Sequence, residues 1–141
     1  MLPWSCTENP RGIIATGINF SYVEEVISDI GFDGEVLKLA TTYPIPDPLM
    51  ASFMKDKDEV LIVEEGEPVA EVITRSVAQY LHMPIRIMGK SDKLFKRSGE
   101  LNVDLVGRAI AKFTGKEWPE YEEDAPVPLL DGTARNHHGV C

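Results

Sequence analysis

Residues 60–68 read VLIVEEGEP. Four apolar residues run straight into two adjacent glutamates, a glycine, a third glutamate and a proline. Residues 59–63 (EVLIV) are too short and too uniformly apolar for an amphipathic helix. They predict a strand buried on both faces, as in parallel sheets covered by helices on each side. Pro68 stands where a helix opens, because the first turn has no use for its missing N–H. The stretch therefore predicts strand, turn and helix, with paired carboxylates at the joint.

The flanking sequence repeats that unit. Residues 13–16 (IIAT) predict a short buried strand ending at Gly17. Ser21 and Glu24 have the spacing of a capping box, with Ser21 as N-cap. Val23, Val26, Ile27 and Ile30 follow on one helical face, and Gly31 ends the helix. Residues 35–40 (EVLKLA) predict a second strand. The three prolines of TTYPIPDP (41–48) exclude helix and central strand. Asp47-Pro48 then caps a short helix with Leu49, Met50, Phe53 and Met54 inward. After Pro68, the apolar face of the next helix is read as Val69, Val72, Ile73, Val77, Tyr80 and Leu81. Residues 85–88 (IRIM) predict a fourth strand, and 89–101 a polar loop. Asn102 caps a last helix with Val106, Ala109, Ile110 and Phe113 inward, closed by Gly115.

This β-α-β-α-β-α-β-loop-α order predicts an open, mostly parallel α/β sheet with helices on both faces. Residues 1–11 read as an N-terminal extension and 12–115 as the α/β domain. Residues 116–141 are acidic, proline-punctuated and aperiodic, and read as a tail or linker.

Composition excludes several function classes. The net charge of −9 over 141 residues repels phosphate backbones, so nucleic acid is not an expected partner. Lys90, Lys93, Lys96 and Arg97 form a local basic cluster, read as a solvated loop. No run approaches the ~18–20 apolar residues of a membrane span. The start, MLPWSCTENPRG, lacks the form of a secretory signal. Cys6 and Cys141 stand alone, without CxxC, and read as free thiols of a reducing cytoplasm.

Motifs for chemistry are equally sparse. Gly89-Lys90-Ser91 resembles the end of a P-loop, but position 84 is proline where the motif needs glycine. There is no GxGxxG turn around Gly12 or Gly17 and no GxSxG elbow. His137 and His138 are adjacent, a poor geometry for one metal. His82 reads as a helix-end residue.

Ligands of open α/β sheets gather beyond the carboxyl ends of the strands. Gly17, Thr41, Thr42, Glu64, Glu65, Gly66, Glu67, Pro68, Gly89 and Lys90 fall there, and are the candidates for ligand or interface contact. Successive residues leaving a strand point oppositely, so Glu64 and Glu65 are not expected to meet as an acid/base dyad. A carboxylate ahead of a helix N-terminus also has a structural task, accepting its free N–H groups. The structural or interfacial reading stands ahead of ligand contact, and catalysis stands last.

Four stretches carry a family resemblance: GIIATGINFSYVEEV, EVLKLATTYPIPDPLMASF, DEVLIVEEGEPVAEVI, and MGK followed by SGELNVDLV. Together they resemble a segment of the alpha subunit of indolepyruvate ferredoxin oxidoreductase, one of the 2-oxoacid:ferredoxin oxidoreductases. The resemblance covers about residues 12–115. It implies a transketolase C-terminal-like domain, a three-layer α/β/α sandwich whose five-stranded sheet has one antiparallel edge strand. The fifth strand would come from residues 94–101 or the N-terminal segment. The family enzyme oxidatively decarboxylates aryl 2-oxoacids to acyl-CoA, passing electrons to ferredoxin. It uses thiamine diphosphate, Mg²⁺ and iron–sulfur clusters. Nothing here matches its pyrimidine- and pyrophosphate-binding domains or its cluster cysteines. Asp131-Gly132 follows leucine rather than the glycine of a thiamine GDG motif.

The resemblance thus implies a non-catalytic assembly domain with no cofactor of its own. Its partners would be the thiamine-binding domains, the second subunit, a second copy of itself and, at the strand ends, coenzyme A. The alternative is a free-standing, flavodoxin-like ligand-binding domain. An assembly domain should expose a larger apolar patch than a monomer normally does. A ligand-binding domain should have a polar pocket at the strand ends.

Overall fold

The computed structural model describes residues 9–40, 47–95 and 100–119. The elements are β1 (Arg11–Thr16), α1 (Asn19–Ile30), β2 (Glu35–Leu39), α2 (Asp47–Met54), β3 (Glu59–Val63), α3 (Val69–Tyr80), β4 (Arg86–Met88) and α4 (Val103–Thr114). A single 3₁₀ turn, Lys90–Asp92, follows β4. The strands form one parallel sheet in the order β2-β1-β3-β4.

The alternation of side chains along β1 and β3 explains the layers. Ile13 and Ala15 of β1 join Leu61 and Val63 of β3 in one core, under α1 and α4. Ile14, Val60 and Ile62 enter a second core, under α2 and α3. Neither strand has a solvent face, so VLIV is apolar throughout because its residues fill two cores in turn. Register pairs Ile14 with Leu37 and Ile62, and Ile13 with Val36 and Leu61. Each such side chain contributes about 1.5–3 kcal/mol by leaving water. The result is a three-layer α/β/α sandwich.

The sheet has four strands among the described residues, not five, and all are parallel. The expected antiparallel edge strand is absent from them. Of the segment expected to supply it, Phe95 and Leu101 instead insert into the α1/α4 core. Residues 96–99 and 1–8 lie outside the described residues.

Helix boundaries follow local chemistry with two corrections. Asn102 caps α4 as expected, its side chain accepting from the Leu105 amide at 2.8 Å. Gly31 and Gly115 end α1 and α4 at φ of 78° and 72°, a conformation that favours glycine. Ser21, however, does not cap α1. The chain turns sharply at Gly17 (φ 53°), whose carbonyl accepts from Phe20. The helix therefore starts at Asn19, with Ile18 at the N-cap, three residues ahead of the expected cap at Ser21, and no side-chain cap.

The second correction concerns which face of α3 is inside. The expected face does not point inward as a whole. The helix buries Ala70, Glu71, Thr74, Val77 and Ala78, and leaves Val69, Val72, Tyr80 and Leu81 exposed. Small residues let α3 lie close to the sheet, and Thr74 meets its own polar need by donating to the Ala70 carbonyl at 2.6 Å.

Candidate functional site

The strand-end carboxylates divide their work. Glu64, the first residue beyond β3, is 2% exposed. Its two oxygens accept from the backbone amides of Ala70 (2.9 Å) and Glu71 (2.8 Å). The other N-terminal groups of α3 are also accounted for. Pro68 has no N–H, and the Val69 amide donates to the Glu67 carbonyl at 2.8 Å. Burial raises the Glu64 pKa, while the Ala70 and Glu71 amides and the Lys90 charge oppose that rise. Glu65 turns away, as strand geometry requires, and accepts from the Leu101 amide at 2.9 Å. It thereby pins the end of the 89–101 loop. The two glutamates form no dyad.

A second buried carboxylate was not singled out from the sequence. Glu71 is 1% exposed and faces the turn after β4. It accepts from the Ser91 hydroxyl and, at 3.4 Å, from the Ser91 amide. Arg75 Nε stands 3.5 Å away, close enough for an ion pair but not for a hydrogen bond. Arg75 also reaches Asp92 at 3.2 Å, and Asp92 accepts from the Gly89 amide at 3.1 Å. Gly89 is required by close approach: a Cβ there would lie 2.9 Å from the Glu71 carboxyl carbon. The spacing of Glu71 and Arg75, one helical turn apart, is the sequence signal for part of this network.

The structure therefore brings together Glu64, Gly66, Pro68, Gly89 and Lys90 at the ends of β3 and β4. Lys90 donates to the Gly66 carbonyl across the two turns. Gly17 lies at the end of the adjacent β1, its amide tied to the Leu39 carbonyl at 2.9 Å. Glu67 is exposed beside α3. Thr41 and Thr42 lie outside the described residues.

A different feature opens on the outer side of α2 and α3. A hollow of about 600 Å³ is lined by Asp47, Pro48 and Ala51 of α2 and by Ile73, Val77, Tyr80 and Leu81 of α3, with Ser76 the remaining contact. A second hollow, of about 400 Å³, shares Ile73 and extends to Glu67, Pro68, Val69 and Val72. Tyr80 is 83% and Val72 56% exposed, with Leu49 exposed on α2. Val72 and Tyr80 are among the larger apolar residues of α3, and Leu49 falls on the expected apolar face of α2; all three are expected inside and lie outside. The alternative stripe 70, 74, 77 and 78 has the same helical spacing and was the readable signal for the reverse orientation.

No described helix is long and apolar enough to cross a membrane. The described residues hold no group of three or more His, Cys, Asp or Glu side chains arranged for a metal ion.

Comparison with known proteins finds curated proteins named indolepyruvate oxidoreductase subunit IorA. The chain is 38% identical over 120 residues to that of Methanothermobacter marburgensis and 39% identical over 127 residues to that of Pyrococcus abyssi. It is 40% identical over 109 residues to that of Thermococcus kodakarensis. These matches cover 85%, 86% and 77% of this chain, but 19%, 19% and 16% of the relatives. The chain thus spans about a fifth of the length of the curated relatives it matches. No protein-family model matches it. No solved structure matches it either.

Proposed function

Because the chain belongs to the IorA family of indolepyruvate oxidoreductase subunits, over a segment about a fifth of their length, we propose that it is a non-catalytic assembly module of such an oxidoreductase. In this reading it is the transketolase C-terminal-like part of a thiamine diphosphate-dependent 2-oxoacid:ferredoxin oxidoreductase. It packs against the thiamine-binding domains or the companion subunit and supplies contact area. Oxidative decarboxylation of the 2-oxoacid, with thiamine diphosphate, Mg²⁺ and iron–sulfur clusters, takes place elsewhere in the parent enzyme.

The observation that carries this reading is the outward apolar face of α3. Val69, Val72, Tyr80 and Leu81 are exposed together beside the α2 hollow. Contiguous exposed apolar surface of this kind marks an interaction face. The strand ends support the same reading from the other side. A helix N-terminus at a strand end is the usual seat for a ligand phosphate, and at α3 the protein's own Glu64 fills it. The buried carboxylates, Glu64 and Glu71, are taken up by Ala70, Glu71 and Ser91. They do not fit a magnesium–diphosphate site, and this fit also disfavours the flavodoxin-like alternative.

The test is calorimetric titration of the purified chain with Mg²⁺-thiamine diphosphate and, separately, with coenzyme A. The module reading expects no saturable heat from either. Saturable binding of coenzyme A that is lost in Glu64→Gln would contradict it and move the function to the strand ends.

A further inference from the structure

The outer face of α2 and α3 also limits what can cover it. The last described residues lie by the opposite layer. Trp118 packs in the α1/α4 core and donates to Asp104 of α4 at 3.4 Å. Residues 120–141 carry Glu120, Glu122, Glu123, Asp124 and Asp131 against Arg135 alone. Like charge thus sets the chain's own tail against the carboxylates lining the hollow, Asp47 and Glu67, and the occupant is sought in a different polypeptide.

The shape and charge of the hollow narrow the class. Its two parts meet at Ile73 and run along α3 from Glu67 to Leu81. At about 1.5 Å per residue that is roughly 20 Å, the length of a helix of three to four turns. The floor is apolar, and the charged residues lining it, Asp47 and Glu67, are both acidic. A second copy of the same face would set these carboxylates against their own kind, within a chain already at −9.

We propose that this groove receives an amphipathic helix of a separate partner subunit, with an aliphatic stripe and Lys or Arg at its ends. The proposal rests on the assembly reading and names the chemistry of its partner. Helix-in-groove docking supplies affinity through the apolar stripe, and the flanking charges select the partner.

Two synthetic 15-residue helical peptides test it against the full chain by calorimetry. Both carry leucines at i, i+3, i+4 and i+7, one with lysines at its ends and the other with glutamates. The lysine peptide is expected to bind saturably, at least tenfold more tightly than the glutamate peptide. Val72→Ser with Tyr80→Ser, which leaves the charge unchanged, is expected to abolish binding. Asp47→Asn with Glu67→Gln is expected to bring the two peptides within about threefold of each other.

Equal binding of the two peptides to the unaltered chain overturns the proposal, as does binding that survives the serine pair. Concentration-dependent dimerisation in sedimentation, abolished by the serine pair, makes a second copy the occupant and overturns it. Tenfold tighter peptide binding by Leu129→Asp/Leu130→Asp makes the chain's own tail the occupant and also overturns it. If the chain assembles with the rest of an oxidoreductase while neither peptide binds, this proposal fails and the assembly reading stands.

Discussion

The Glu64 carboxylate accepts from the backbone amide of Glu71 at 2.8 Å, joining the end of β3 to the first turn of α3. With the Ala70 amide at 2.9 Å it closes that helix terminus inside the protein. A carboxylate in this position orients α3, and the orientation of α3 decides which apolar residues face outward. Removing it leaves two buried donors without partners, each costing about 1–3 kcal/mol. Glu64→Ala is therefore expected to lose about 3 kcal/mol in urea unfolding at neutral pH, and Glu64→Gln, which keeps one acceptor, about half that. A loss under about 0.5 kcal/mol for Glu64→Ala would show that the amides find other partners.

The same residue gives a pH signature. Burial raises its pKa above the ordinary 4.5, against the lowering by the Ala70 and Glu71 amides. An acid with a higher pKa in the folded chain binds more protons there than when unfolded. Its contribution to stability is complete below 4.5 and is lost as pH rises through the folded value. Wild type should thus lose stability relative to Glu64→Gln as pH rises from 4.5 toward neutral. Unfolding of both chains at stepped pH measures this, and a gap that widens in favour of wild type would contradict it.

Close packing at two glycines gives further tests. Gly89→Ala would drive a methyl toward the Glu71 carboxyl group and break its contacts with Ser91. Overpacking of this kind costs about 1–3 kcal/mol. Gly107→Ala would set a methyl 2.6 Å from Trp118 Cζ2. In a Trp4→Phe background, that substitution should red-shift the remaining tryptophan emission as the ring is displaced into water. Unchanged emission would mean that the ring yields without leaving its site.

Much of this fold was legible because several local signals agreed. For β3, composition, length and flanking residues all pointed the same way, and its predicted span, 59–63, is the observed one. Asn102 and Gly115 bracketed α4 for the same reason. In α3 the signals conflicted. Ranking by size favoured Val72 and Tyr80 as core, but a parallel sheet needs a close-fitting helix, and Ala70, Thr74 and Ala78 supply one. The burial of Glu71 was illegible because its partners, Ser91 and Gly89, come from a turn far along the chain. The lost cap at Ser21 has a similar cause: the Gly17 turn, fixed by a bond to β2, starts the helix earlier than its side chains advertise.

The outward α3 face yields a contrast between the isolated chain and its assembly. Val72 and Tyr80 are 56% and 83% exposed, so Val72→Lys and Tyr80→Lys should each change the stability of the chain alone by less than about 0.5 kcal/mol. A loss above 2 kcal/mol in urea unfolding would mean that these residues belong to the core.

The most direct test is to replace the matching segment of Pyrococcus abyssi IorA with this chain and follow assembly of the hybrid by size-exclusion chromatography. The unaltered segment is expected to give one assembled species. The Val72→Lys/Tyr80→Lys segment should give dissociated or aggregated protein although it folds by itself. Equal assembly by both hybrids would contradict the claim that the α3 face is the interface.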